Sequence, residues 1–123
     1  MALEMETRTD GDLTIVGLTG ELDIYTVADF RHVLDEVDPG RGTVVFDLTH
    51  VTLLDSSGLG ALVHALNQSR RSGGRIGIVC PEARLARVFS ITGLDDAFVF
   101  GDDLDHLRAA LAAPPAIPPD RRL

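Results

Sequence analysis

The sequence predicts an α/β fold, a mixed sheet of four or five strands with about four helices. Three observations carry that expectation. Period-two apolar alternation runs through the first twenty residues and breaks at Gly11-Asp12. Short apolar runs then recur at Thr43–Asp47 and Arg75–Cys80, as strands covered on both faces do. Between those runs lie stretches whose apolar residues return every three or four positions. A hairpin followed by strand–helix alternation needs parallel strands joined by helices.

Each element has its own signal. Leu3–Arg8 alternates as an edge strand would, and Leu13–Glu21 is a longer strand closed by Gly20, with Leu13 and Ile15 on one face and Val16 and Leu18 on the other. Thr26-Val27-Ala28-Asp29 has the form of a capping box, and Val27, Phe30, Leu34 and Val37 make the helical stripe behind it. Asp38-Pro39-Gly40 ends that helix. After the strand at Thr43–Asp47, Val51–Leu54 is an apolar connector to a second helix. That helix starts near Ser56 or Ser57, carries the stripe Leu59, Leu62, Val63 and Leu66, and stops at Ser72-Gly73-Gly74. Pro81 fits the first turn of a third helix with an inner face of Leu85, Val88 and Phe89, and Gly93 suits the left-handed residue after it. Phe98–Phe100 is a short strand, and Asp102 or Asp103 caps a last helix to about Ala112. The domain is thus expected over 1–112. Residues 113–123, rich in proline and poor in anything to bury, are expected to form a disordered tail.

Composition narrows the function classes. The 123 residues suit one core, and no apolar run approaches the roughly 18 residues that cross a bilayer. The first ten residues lack the apolar centre of a signal peptide, so a cytoplasmic protein is expected. The net charge is −8, and the eleven basic residues are all Arg, scattered singly or in pairs apart from Arg70-Arg71 with Arg75. That argues against direct nucleic-acid binding, which needs a basic surface to displace phosphate counterions. Cys80 follows an apolar strand and reads as a small buried hydrophobe. His32, His50, His64 and His106 are dispersed without metal-ligand spacing. Asp102, Asp103 and Asp105 lack the glycine and distal glutamate of a calcium loop. No metal or other cofactor is expected.

Asp55-Ser56-Ser57-Gly58-Leu59-Gly60 is the segment richest in chemistry. It places two hydroxyls where a loop meets a helix N-terminus, beside unpaired backbone N–H groups and the positive end of the helix dipole. A phosphate is tolerated at such a point. Plain helix capping by Asp55 or Ser56 explains the same residues. An enzyme using Ser56 or Ser57 as nucleophile would need a placed base, and the nearest histidine in sequence, His50, has no orienting acid marked for it.

From Leu13 to about Leu111 the chain resembles the STAS family, in its anti-sigma factor antagonist branch. The resemblance rests on Thr19-Gly20-Glu21-Leu22-Asp23 with Thr26, on Val45-Phe46-Asp47-Leu48, and on Leu54–Gly60. Gly73-Gly74 and Val88–Leu94 complete it. It implies a STAS fold and a non-enzymatic switch, with Ser56, directly after the aspartate, as phosphate acceptor. It implies an anti-sigma factor serine kinase as partner, bound by the unphosphorylated form so that a sigma factor is freed, and a PP2C-type phosphatase that resets the switch. Asp23, Asp55, Ser57, Gly58 and Leu59 are the implied docking residues, Asp23 as an exposed acid. Ile24 and Tyr25 depart from the polar residues usual after that acid, which bears on partner choice. The other role open to such a domain is a STAS subunit of a membrane transporter or signalling scaffold.

Overall fold

In a computed structural model, residues 2–39 and 42–113 are described; the expected tail beyond 113 lies outside them. The elements run β1 (Leu3–Asp10), β2 (Leu13–Leu22), α1 (Val27–Val37), β3 (Thr43–Leu54), α2 (Ser56–Arg71), β4 (Arg75–Val79), α3 (Ala83–Ile91), β5 (Val99–Gly101) and α4 (Leu104–Ala112). The five strands lie in the order β1-β2-β3-β4-β5. Only β1 is antiparallel to its neighbour. The mixed α/β sheet with four helices is therefore as the sequence predicts.

The topology fixes the layers. Three successive parallel crossovers step in the same direction across the sheet, and the right-handed path general to such crossovers puts α1, α2 and α3 on one face, where they share one core. The large core lies there, where Phe30 and Leu34 of α1, Leu62 and Leu66 of α2, and Leu85 and Phe89 of α3 pack on Val16, Leu18, Phe46 and Ile78. Phe30 meets Phe46 edge to face at 5.5 Å. On the opposite face α4 covers a smaller cluster, in which Leu107 sits on Leu13, Ile15, Val45 and Val79. The split of β2 into Leu13/Ile15 and Val16/Leu18 faces is the expected one. Gly77 lies close under α4, where a Cβ would lie 2.9 Å from the Leu107 side chain and force it to shift.

Several local expectations are corrected. Val51–Leu54 is the second half of β3, not a connector. The pairing of β2 with β3 shifts between Gly17 and Thr19 and again between Gly20 and Glu21, with the extra residue on β3 each time. At those bulges a β3 residue is left unpaired and the pairing resumes beyond it, which breaks the alternation by which a strand is read. Gly20 does not close β2, which runs on to Leu22. It takes φ +113 inside the strand, and a Cβ there would collide with the Ala2 carbonyl. Pro81 precedes α3, whose cap is Glu82, accepting from Arg84 N at 3.0 Å.

Candidate functional site

The site forms at the carboxyl edge of the sheet, where β2 and β3 end side by side, Glu21 against Leu53 and Leu22 against Leu54. Two loops leave that edge into α1 and α2. Parallel neighbouring strands bring their following loops together, which is why residues about thirty positions apart in sequence meet here.

Asp55 is the N-cap of α2, with extended backbone and a side chain turned onto the first helical turn. Its Oδ1 accepts from Ser57 N at 2.9 Å and Gly58 N at 3.1 Å. Its Oδ2 accepts from Ile24 N at 3.2 Å. One carboxylate therefore satisfies orphan donors of α2 and ties that helix start to the β2–α1 loop. Its own N–H donates to Leu22 O at 3.3 Å, a second strap between the two loops. Ser56, the first residue of α2, is exposed; Asp55 and Ser57 are half-buried.

Gly58 is fixed by close approach. A Cβ at that position would lie 2.7 Å from both the side chain and the carbonyl of Leu22, and 3.0 Å from Leu54. The helix start is pressed onto the strand ends, and only glycine lets it come that close. Leu59, 8% exposed, belongs to the core.

Asp23 is the clearest correction. The sequence leads one to expect an exposed acid, but Asp23 is 6% exposed and folds back into its own loop. Its Oδ1 accepts from Tyr25 N at 2.9 Å and Thr26 N at 3.1 Å. Thr26 does not form the expected capping box, for its side chain makes no bond to the α1 N–H groups. Its hydroxyl instead donates to Glu21 O at 2.8 Å and accepts from Asp23 N at 3.0 Å. Asp23 and Thr26 thus satisfy each other inside the turn, through Oδ1 of the carboxylate. Gly58 and Leu59, also expected to contact a partner, are buried as well.

The turn that Asp23 holds presents two apolar side chains, Ile24 and Tyr25. Ile24 is 64% exposed and Tyr25 87%. Leu53, 45% exposed on the last stretch of β3, adds to the apolar surface at this edge. Its signal was the consecutive pair Leu53-Leu54. Adjacent strand residues face opposite ways, and Leu54 is the buried one.

Among the described residues neither serine hydroxyl engages a histidine; His50 lines a different groove with Thr19 and Asp47. No group of three or more His, Cys, Asp or Glu among the described residues could hold a metal ion. Burial pushes the Cys80 thiol up to about 11, partly offset by its contact with the Glu82 backbone, so the thiol is protonated and unreactive at neutral pH. No helix among the described residues is long and apolar enough to cross a membrane.

Comparison with known proteins agrees with this geometry. The STAS domain family model matches residues 4–109. An anti-sigma-B factor antagonist of Staphylococcus epidermidis is 37% identical over 97 residues, which are 78% of this chain and 90% of that one. An anti-sigma factor antagonist from Mycobacterium paratuberculosis superposes with a TM-score of 0.76 at 24% identity, covering 91% of this chain and 96% of that one. The Bacillus cell fate determinant SpoIIAA in its phosphorylated form superposes with a TM-score of 0.66 at 21% identity, covering 88% and 98%. With the family model over most of the domain and a close relative across nearly all of its own length, the chain belongs to the STAS domain family, on the branch of the anti-sigma factor antagonists.

Proposed function

We propose that this protein is a cytoplasmic anti-sigma factor antagonist that works as a phosphorylation switch rather than as an enzyme. The unphosphorylated form binds an anti-sigma factor serine kinase and releases a sigma factor; phosphorylation of Ser56 ends the binding, and a PP2C-type phosphatase restores it. The observation that carries this reading is the exposed Ser56 hydroxyl at the start of a rigidly capped helix, joined through Asp55 to the loop that presents Ile24 and Tyr25. The kinship to a named anti-sigma-B factor antagonist supports it.

In the transfer the Ser56 oxygen attacks the γ-phosphorus of ATP, the bond to ADP breaks, and the hydroxyl proton passes to a base on the kinase. The product carries nearly two negative charges. The helix dipole favours that charge, but Asp55 already holds the Ser57 and Gly58 N–H groups, so the phosphate remains turned outwards. It then faces the partner as a solvated dianion, beside Asp55 and on a chain of net charge −8. Stripping its water without a new cation costs several kcal/mol, roughly a hundredfold or more in affinity. SpoIIAA, which shares the fold, has been determined in a phosphorylated form, which supports switching without refolding. In this reading Asp55 and Ser57 flank the contact, while Asp23, Gly58 and Leu59 act from beneath by holding the surface in shape.

The test uses the host's anti-sigma factor kinase, purified, with ATP. Ser56→Ala should bind it and resist phosphorylation, Ser57→Ala should still be phosphorylated, and Ser56→Asp should bind poorly with an unchanged circular dichroism spectrum. Phosphate mapped to Ser57, or tight binding by Ser56→Asp, overturns the reading.

A further inference from the structure

Two glycines in the first turns of α2 are present for different reasons. A Cβ at Gly58 would strike Leu22 and Leu54, whereas a Cβ at Gly60 would meet nothing within 4 Å. Gly60 is exposed, lies inside a sixteen-residue helix, and shows no positive φ. Neither packing nor backbone conformation asks for glycine there, and glycine inside a helix is destabilising relative to alanine. The chain holds a residue that weakens its own helix at a point where alanine would fit.

The position of Gly60 gives the reason. It lies four residues after Ser56, one turn on and on the same face of α2. Helical side chains lean toward the N-terminus, so a side chain at 60 would cover the surface over Ser56. Gly60 leaves that surface bare. Beyond it the same face continues with the exposed His64, and Asp55, next to Ser56 in the chain, is bonded to Ile24 N of the loop that exposes Ile24 and Tyr25. The bare stretch is therefore bounded by side chains, with Ser56 at its near end.

We propose that Gly60 is a specificity-determining residue, the point where the backbone of the anti-sigma factor kinase approaches α2 most closely, and that its missing side chain keeps Ser56 within reach of the phosphoryl donor. The inference rests on the reading of Ser56 as the acceptor and adds which neighbour admits the partner. The occupant is that kinase: a dianion on Ser56 blocks the surface only if the partner comes down onto it, and a bare helix face one turn away is where a main chain can do so.

The experiment compares wild type, Gly60→Ala and Gly60→Gln in melting temperature, in affinity for the host's purified anti-sigma factor kinase, and in the rate of Ser56 phosphorylation with ATP. Gly60→Ala should melt about 3–6 °C higher. It should nevertheless bind about tenfold more weakly, and Gly60→Gln about a hundredfold, because added bulk at a close-packed contact cannot be absorbed. Phosphorylation should slow in the same order. Variants that are stabilised yet bind and are phosphorylated like wild type overturn the role of Gly60 alone. A lower melting temperature for Gly60→Ala also overturns it, since glycine would then serve the fold. A wild-type chain that neither binds the kinase nor accepts phosphate overturns the reading of Ser56, and this inference with it.

Discussion

Asp55 and Asp103 cap helices that leave the same carboxyl edge of the sheet, α2 after β3 and α4 after β5. Their chemistry is alike and their reach is not. Asp103 accepts from the N–H of His106 at 2.8 Å and meets the His106 ring nitrogen at 2.8 Å, both within one exposed turn. Asp55 divides its oxygens between its own helix and a loop thirty-one residues away, and the residue after it is an exposed hydroxyl. A helix cap by itself marks nothing beyond a helix start. A cap that also bridges two strand-end loops fixes the relative position of everything those loops display, and it is at this bridge that Ser56, Ile24 and Tyr25 come together.

The sharpest break in the comparison comes from removing each acid. Asp55→Ala strips acceptors from three backbone N–H groups and should lower stability by about 2–3 kcal/mol in urea denaturation, as unsatisfied, partly buried donors do. Partner affinity should fall further than that loss of folded chain explains, because the two loops are no longer tied. Asp23→Ala should be comparably destabilising, since the acid is buried against Tyr25 N and Thr26 N. A neutral Asp23→Ala would mean that the loop holds its shape without it. Tyr25→Ala should reverse the pattern, with stability within about 0.5 kcal/mol of wild type and affinity for the anti-sigma factor reduced roughly tenfold, read by titration calorimetry. Asp103→Ala should lower the melting temperature by less than Asp55→Ala and leave partner binding untouched.

The smallest effect is a pH dependence at the distal cap. Asp103 raises the pKa of His106 from its ordinary value, first by the side-chain hydrogen bond and then by its charge. A raised folded-state pKa stabilises the protein below the unfolded value near 6.5, and that contribution disappears as pH rises through the folded value. The melting temperature of wild type relative to His106→Ala should therefore be higher at pH 5.5 than at pH 8.5. The Asp103 carboxyl is held below its usual range by the His106 N–H and ring, so its own contribution is lost as pH falls through that lowered value. A flat difference between pH 5.5 and pH 8.5 would dissolve the His106–Asp103 pair as a stabilising contact.

The sheet and its helices were legible because their signals are periodic. The faces of β2 and the stripe of α2 follow from spacing, and the start of α2, expected near Ser56 or Ser57, lies at Ser56. The second half of β3 was not legible, since two bulges break the alternation that identifies a strand. Nor was the burial of Asp23. An acid after a strand reads as exposed unless its donors are known, and those of Asp23 are backbone groups of the turn it makes, invisible in residue types. The difference between Gly58 and Gly60 was equally hidden, because two glycines look alike in sequence and differ only in what stands opposite them.

The spatial order of the strands is also their order along the chain, so every pair in the sheet joins consecutive strands. Loop closures are then short, and the cost of each is met by the contacts it makes before the next begins. A chain leaving the ribosome can pair β1 with β2, close α1 over them and add β3, which assembles the Asp55 bridge, while β5 and α4 are still being synthesised. The expected folding nucleus is the β2–α1–β3 unit. Fragments ending after α2 should show protected amides in β2 and β3 on hydrogen exchange, and substitutions in α4 should speed unfolding while leaving the folding rate nearly unchanged.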